Sequence, residues 1–377
     1  MSAPKPFEQQ VFVTRPMLPS LSRYQELVAQ IWETGWLTNG GGKHAALERE
    51  LGTFLGSRHV SLFNNGTIAL IAACKALRLH GEVITTPFTF PATTHVLDWG
   101  NITPVFCDID PVRLTIDPRR IERLITSRTT GIMGVHVYGI PCHTHLIQDI
   151  ADAYGLRVVY DAAHAFGTEI DGVPVAEYGD CTMFSFHATK LFHTAEGGAL
   201  VVKDPELKQR IDLLKNFGIK NEVDVVMPGI NGKLNELQAA MGLANLECMD
   251  EERAKRARVA AVYRERLDCV TGLECVTLPE GVKPSLQYFV IRVHSGGKVT
   301  RDQLYEELKA FNVLSRRYFY PLCSEFSCYQ ALPSAAPSEL PVAYQISREV
   351  LALPFYGNLG EEGAGRICDM IQHIMGR

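Results

Sequence analysis

Between about residue 58 and residue 203, short apolar runs alternate with stretches of helical period. The runs HVSLF (59–63), EVITT (82–86), TPVFC (103–107), GIMGVHV (131–137), LRVVY (156–160), CTMFSF (181–186) and GALVV (198–202) are β-rich and short enough to be strands. Between two of them Ile147, Ile150, Ala151 and Tyr154 recur at helical spacing, and Gly155 stands where such a helix stops. The alternation predicts an α/β layer built largely on a parallel sheet. Beyond Leu234 the pattern changes. The stretch NELQAAMGLANLECMDEERAKRARVAAVYRERL (235–267) reads as one long helix, charged in its second half and too long for one compact layer, and is expected to connect two domains. A strand, YFVIRVHS (288–295), follows, and then a helix opening with Thr300 and Gln303 in capping-box spacing, with Leu304, Leu308 and Phe311 on one face. The expected organisation is an N-terminal arm and a large α/β domain over residues 1–250, then a smaller α+β domain over 251–377. The Pro/Ser-rich piece LPSAAPSELP (332–341) reads as a surface loop, and no internal repeat is visible.

Composition narrows what such a fold is for. The 377 residues are 46% hydrophobic, enough for one large core or two unequal ones. The longest apolar runs fall short of the ~20 residues of a membrane span, and the start MSAPKPFEQQ lacks the apolar centre of a signal peptide, so a cytoplasmic protein without a membrane partner is expected. Ten cysteines are scattered with no CxxC pair, which suggests buried thiols rather than a disulfide framework or a zinc knuckle. A net charge of −5 without basic or acidic blocks leaves no footprint for nucleic acid. The ligand should be small.

In open α/β sheets ligands collect beyond the carboxyl ends of the strands. Four of these ends are unusual. Asn64-Asn65-Gly66-Thr67 runs straight into the helical stretch IALIAACKAL, a placement that suits a phosphate at a helix N-terminus or an ordinary capped helix start. Pro87-Phe88-Thr89-Phe90 sets aromatic rings at the next edge, as a stacking platform or as core. Asp161-Ala162-Ala163-His164 places an acid directly after an apolar strand, where it needs a cationic or proton-bearing partner or caps a helix. The fourth end is SFHATKLFHTAEGGALVV (185–202), with Ser185 in the strand end and Lys190 among small and apolar residues. Desolvation lowers an amine's pKa and makes it a nucleophile towards carbonyls. Pyridoxal phosphate accounts for all four ends: it asks for a lysine to form a Schiff base, a carboxylate for its ring nitrogen, a phosphate cup and a ring to stack on. The competing idea, a metal held by His187 and His193, lacks a ligand spacing and carboxylates at proper offsets, so no metal is expected. His136, His143 and His145 read as strand-end and surface histidines.

These residues resemble the sugar aminotransferases of the DegT/DnrJ/EryC1/StrS group, which have the fold type I, aspartate aminotransferase-like architecture. The resemblance covers nearly the whole chain through GWLTNGG (35–41), NNGTIAL (64–70), PFTFPATTH (87–95), DAAHAFG (161–167), SFHATKLFHTAEGGA (185–199), GINGKLNELQAAMGL (229–243) and RRYFYPL (316–322). It implies that Lys190 and Asp161 are catalytic, the first as the Schiff-base lysine and the second holding the pyridinium nitrogen. It further implies that Phe90 stacks on the cofactor ring and that His164 lies near its phenolic oxygen. Gly66, Thr67 and Ser185 would bind the phosphate, joined by Asn231 of the partner subunit in a homodimer with shared active sites. Trp36, Tyr318 and Tyr320 are candidates for the sugar-nucleotide pocket, with packing between domains as the alternative. Two positions depart from the pattern: Asn65 replaces a common serine before Gly66-Thr67, and Cys323 replaces a common histidine after Tyr-Pro-Leu.

A lysine at 190, where sugar 3-dehydratases of the group carry histidine, implies amino transfer. The sequence after it resembles members that aminate C-4 of a dTDP-linked 4-keto-6-deoxy sugar with L-glutamate as donor. The same chemistry on a UDP- or GDP-linked ketosugar, or at C-3, is the enzymatic alternative. A regulatory protein that retains the fold is the alternative from another class.

Overall fold

The computed structural model describes residues 4–57 and 59–376, so the first three residues of the expected N-terminal arm lie outside it. The apolar runs of the first half pair into one seven-stranded sheet. Its strands are β1 (Val60–Phe63), β2 (Glu82–Thr85), β3 (Thr103–Phe106), β4 (Thr129–Val135), β5 (Arg157–Asp161), β6 (Cys181–Ser185) and β7 (Gly198–Val201). Their order is β1-β7-β6-β5-β4-β2-β3, with β7 antiparallel to both neighbours and the other pairs parallel. Helices α1 (Leu21–Thr34) and α2 (Gly42–Phe54) precede the sheet, and α3 (Gly66–Ala76), α4 (Pro91–Trp99), α5 (Thr144–Tyr154) and α6 (Pro205–Leu214) follow individual strands.

Adjacent residues of a strand point to opposite faces, and here both faces are covered. Val83, Met133 and Val159 pack with Leu70, Ala73 and Leu97 of α3 and α4. Their neighbours Ile84, Ile132 and Val158 pack with Ile147 and Ala151 of α5. That double coverage explains why the runs read as nearly continuous apolar sequence. Helix α5 ends as its sequence suggests, with Gly155 at φ 65° donating its N–H to Ala151.

The stretch from 235 to 267 is two helices, α7 (Glu236–Leu246) and α8 (Met249–Leu267), rather than one. No proline or glycine marks the break at Glu247-Cys248; the halves turn because they serve different cores. Helix α7 opens with a capping box of Asn235 and Gln238 and buries Ala240 and Ala244 with Leu27 and Ile31 of α1. Helix α8 buries Val259, Tyr263 and Leu267 against a second, antiparallel sheet of β8 (Leu273–Cys275), β9 (Phe289–Val293) and β10 (Val350–Leu353). This sheet also carries α9 (Arg301–Ala310), α10 (Pro341–Ser347) and α11 (Gly360–Met375) around it. The capping box of Thr300 and Gln303 is present at the start of α9, and Leu304 and Leu308 are buried.

The Pro/Ser-rich piece is not a surface loop. It forms two short 3-10 turns, Pro333–Ala335 and Pro337–Glu339, and buries Ala335 and Leu340 in a cluster with Phe106 and Tyr329. The same cluster joins Phe88, Val135 and Tyr138 at the ends of the large sheet to Val290, Phe319 and Ala352 of the C-terminal part. The two parts therefore meet in continuous apolar packing. Seven cysteines, Cys323 among them, are buried thiols; Cys269 and Cys328 are exposed.

Candidate active site

The unusual strand ends converge on one cavity of about 280 Å³. It is lined by Gly66 and Thr67 after β1, Phe90 after β2, Asp161 and His164 at β5, and Ser185 and Lys190 at β6. Tyr288, Tyr318 and Phe319 close it from the C-terminal part.

At the end of β1 the chain turns directly into α3. The Asn65 side chain accepts from Ile68 N–H at 2.8 Å, capping the helix. Among the described residues the Gly66 and Thr67 N–H groups find no acceptor within the chain, and they sit at the positive end of the helix dipole. The cup is closed tightly from below. A Cβ built on Gly198 would lie 2.7 Å from Gly66 N, and one on Gly66 would lie 3.0 Å from Met183 Sδ. Gly198 thus lets β7 pass beneath the helix start. Asn65 holds the position by capping, so the missing serine leaves the backbone donors in place.

Asp161 is buried at the end of β5. One carboxylate oxygen accepts from Thr93 Oγ1 at 2.7 Å and the other from Ala163 N–H at 3.0 Å. Burial still pushes its pKa above the ordinary value, against the pull of Thr93, Ala163 and Lys190. A buried carboxylate in that state lacks a cation. Lys190 stands on a turn closed by its own N–H to His187 C=O at 2.8 Å. Among the described residues its Nζ makes no hydrogen bond or ion pair, and it lies 5.9 Å from the centre of the Tyr288 ring. Burial lowers the amine to about 8, opposed by Asp161.

His164 is buried, and its Nδ1 accepts from Tyr138 N–H at 3.2 Å, which leaves Nε2 as the proton-bearing nitrogen. Burial, assisted by Lys190, drives its pKa well below the ordinary value, so the ring is neutral near pH 7. Its ring stacks on Phe319 with centroids 5.8 Å apart. Phe90, unlike buried Phe88, is exposed at the cavity edge and free to cover a flat ligand.

Not every sequence candidate reaches this cavity. Trp36 is exposed outside its lining, and Tyr320 turns its ring to Arg301, Arg317 and Arg348, with centroids 5.2, 5.2 and 5.6 Å away. Asn231 is exposed beside the strand end, one residue before Gly232, whose C=O accepts from Asn64 N–H. Of the two histidines flanking Lys190, His193 donates to Met17 C=O at 2.6 Å, whereas His187 lines the cavity with Glu196, 3.5 Å away. Thr93, Gln287 and Tyr288 carry no local sequence mark of a site residue, because each meets the site only through tertiary packing. The sequence signal for Thr93 was its place in PFTFPATTH, one helical turn into α4.

The residues present fit pyridoxal phosphate. They offer unclaimed backbone donors for a phosphate, a buried carboxylate short of a cation for a protonated ring nitrogen, and an amine near its neutral form for an aldehyde. Comparison with known proteins agrees. The model of the DegT/DnrJ/EryC1/StrS aminotransferase family matches residues 21–372. The chain is 46% identical over 368 residues to dTDP-4-amino-4,6-dideoxy-D-glucose transaminase of Shigella dysenteriae, covering 97% of this chain and all of the relative. It is 44% identical to the transaminase of the same name from Escherichia coli, covering 95% and 97% of the two chains. Among solved structures, DesI in the presence of its TDP-sugar product superposes with a TM-score of 0.95 at 36% identity, covering 99% of this chain and 95% of that one. Helicobacter pylori PseC, an aminotransferase involved in the biosynthesis of pseudoaminic acid, gives 0.91 at 28% identity, covering 98% of this chain and all of its own. The chain belongs to the DegT/DnrJ/EryC1/StrS aminotransferase family and is a pyridoxal phosphate-dependent aminotransferase of fold type I.

Proposed function

We propose that the protein transfers the amino group of L-glutamate to C-4 of dTDP-4-dehydro-6-deoxy-D-glucose, giving dTDP-4-amino-4,6-dideoxy-D-glucose and 2-oxoglutarate. The observation that carries this reading is the convergence of Lys190, Asp161 and the bare α3 N-terminus on one cavity, in a chain nearly half identical to transaminases named for that product. The product would be a precursor of a surface polysaccharide such as the O-antigen of lipopolysaccharide, made in the cytoplasm.

When bound, pyridoxal phosphate supplies the electron sink that stabilises the carbanion formed at the substrate carbon, and it carries the amine between the two substrates. The Gly66 and Thr67 N–H groups would hold its phosphate, with Ser185 beside them in the lining. The Asp161 carboxylate, fixed by Thr93 and Ala163, would keep the ring nitrogen protonated. His164 would offer its Nε2 proton to the ring oxygen, and Phe90 would cover the ring face. Lys190 would anchor the cofactor, and its amine would hold and move the proton at the substrate carbon. An amine lowered to about 8 is matched to that task, because a proton carrier works best near the working pH.

Among the described residues the cavity lining contains no arginine to receive either substrate's anionic groups, and Asn231 stands exposed outside it. A homodimer in which Asn231 of the partner subunit completes the phosphate site fits both facts. Tyr318, in the lining, would contact the sugar; Trp36 and Tyr320 would act only from the rim or from the partner. Turnover compared across dTDP-, UDP- and GDP-linked 4-keto-6-deoxy sugars tests the reading. The expected result is a preference for the dTDP sugar, and an equal or greater kcat/KM on either other nucleotide would contradict it.

A further inference from the structure

Gln287 lies just before β9, in the C-terminal part, yet both ends of its carboxamide reach the loop that carries Lys190. Its Oε1 accepts from Leu191 N–H at 2.6 Å, and its Nε2 donates to Thr189 C=O at 3.1 Å. The orientation of the amide is settled by its partners, because a peptide N–H only donates and a peptide C=O only accepts. The side chain is buried, at 2% exposure.

The two groups it grips are the peptides immediately before and after Lys190. Each peptide is planar, so only φ and ψ of Lys190 lie between them. Tying both planes to one rigid amide fixes those two torsions and hence the direction of the Cα–Cβ bond. We infer that Gln287 is a positioning residue for Lys190, setting its backbone so that its amine points at the cofactor site; this rests on the reading of Lys190 as the cofactor's anchor.

The clasp is itself held from behind. Arg253 Nη2 donates to Pro284 C=O at 2.7 Å and Arg256 Nη1 to Leu286 C=O at 3.1 Å, while Gln287 N–H donates to Ser285 Oγ at 3.3 Å. Leu286 sits at φ 60°, a conformation a leucine adopts only when its surroundings impose it. The turn so formed sends Gln287 to the lysine's backbone and the next residue, Tyr288, to its side chain and to His164, whose ring centre is 4.9 Å away. A glutamine that merely satisfied its own polar atoms would have no need of partners flanking one residue.

The test uses Gln287→Met, which keeps length and removes both bonds, and Gln287→Glu, which keeps the acceptor and loses the donor. Wild type and variants are freed of cofactor and mixed with pyridoxal phosphate, and capture is followed by absorbance over a pH series from about 6 to about 10. Turnover and Tm are measured in parallel. Gln287→Met is expected to slow capture and lower kcat by about 10- to 100-fold, with KM for both substrates within about 2-fold. Gln287→Glu is expected to slow capture less and to move its pH midpoint upward, since a carboxylate beside the loop favours the charged amine. Capture by Gln287→Met at the wild-type rate and midpoint, with any change confined to Tm, would overturn the inference. Should that variant not fold, unchanged capture and midpoint in Gln287→Glu would do the same. Wild-type protein that takes up no pyridoxal phosphate would overturn the proposed function and this inference with it.

Discussion

Two cations lie within a few residues' reach of the 284–288 segment, and they are treated in opposite ways. Arg256, 1% exposed, has its Nε 2.6 Å from Glu252 and an Nη on Leu286 C=O, and the same glutamate accepts from Gly357 N–H. Every charge there has a partner. Among the described residues Lys190 has no ion pair, and the buried acid on its side of the cavity has hydrogen bonds but no cation in contact. A fold that pairs one buried cation completely has the means to pair a half-buried one. Holding an amine and a carboxylate around one cavity with only their mutual attraction across it, and no contact between them, raises the free energy of the cofactor-free protein, and a ligand carrying an aldehyde, a ring N–H⁺ and a phosphate recovers it.

Substitutions on the two sides should therefore fail differently. Lys190→Ala is expected to lower kcat by at least about 10³-fold, read as glutamate-dependent release of 2-oxoglutarate, without lowering the Tm of the cofactor-free protein. Glu252→Gln strands the Arg256 charge and should cost about 3 kcal/mol in urea denaturation, an effect of about 100-fold on the folded-to-unfolded ratio. Gly198→Ala pushes a Cβ against Gly66 N and should weaken pyridoxal phosphate binding by about 10-fold in equilibrium titration. The smallest effect has the opposite sign. Lys190→Met should raise the Tm of the cofactor-free protein at neutral pH, because the folded state disfavours the charged amine that the unfolded chain carries freely. The folded pKa, about 8, lies below the ordinary 10.5, so this penalty is full below pH 8 and disappears as pH rises from 8 through 10.5. A Tm gain that persists above pH 10.5 would mean that packing, not charge, is responsible, and the contrast with Arg256 would lose its basis.

The parts of the site legible in the sequence are those where strand and chemistry adjoin in the chain. Gly66, Asp161 and Lys190 each fall within four residues of the end of an apolar run, so the rule about strand ends locates them. Thr93 lies 68 residues from the Asp161 it holds, and Gln287 lies 96 from Leu191. Nothing local marks such residues, since their partners are backbone groups or side chains brought in by packing. The same limit explains two errors of the fold. The helix from 235 to 267 breaks at Glu247-Cys248 because α7 and α8 answer to different cores, although every residue there tolerates a helix. LPSAAPSELP has the composition of a loop, and only its contact with Phe106 and Tyr329 shows why Ala335 and Leu340 are apolar.

The most direct measurement is to load the protein with pyridoxal phosphate, reduce it with borohydride, digest it and locate the pyridoxyl group by mass spectrometry. The label is expected on the peptide carrying Lys190 and on no other lysine. A label on a different lysine, or none in protein that binds the cofactor, would contradict the assignment of this unpaired amine as its anchor.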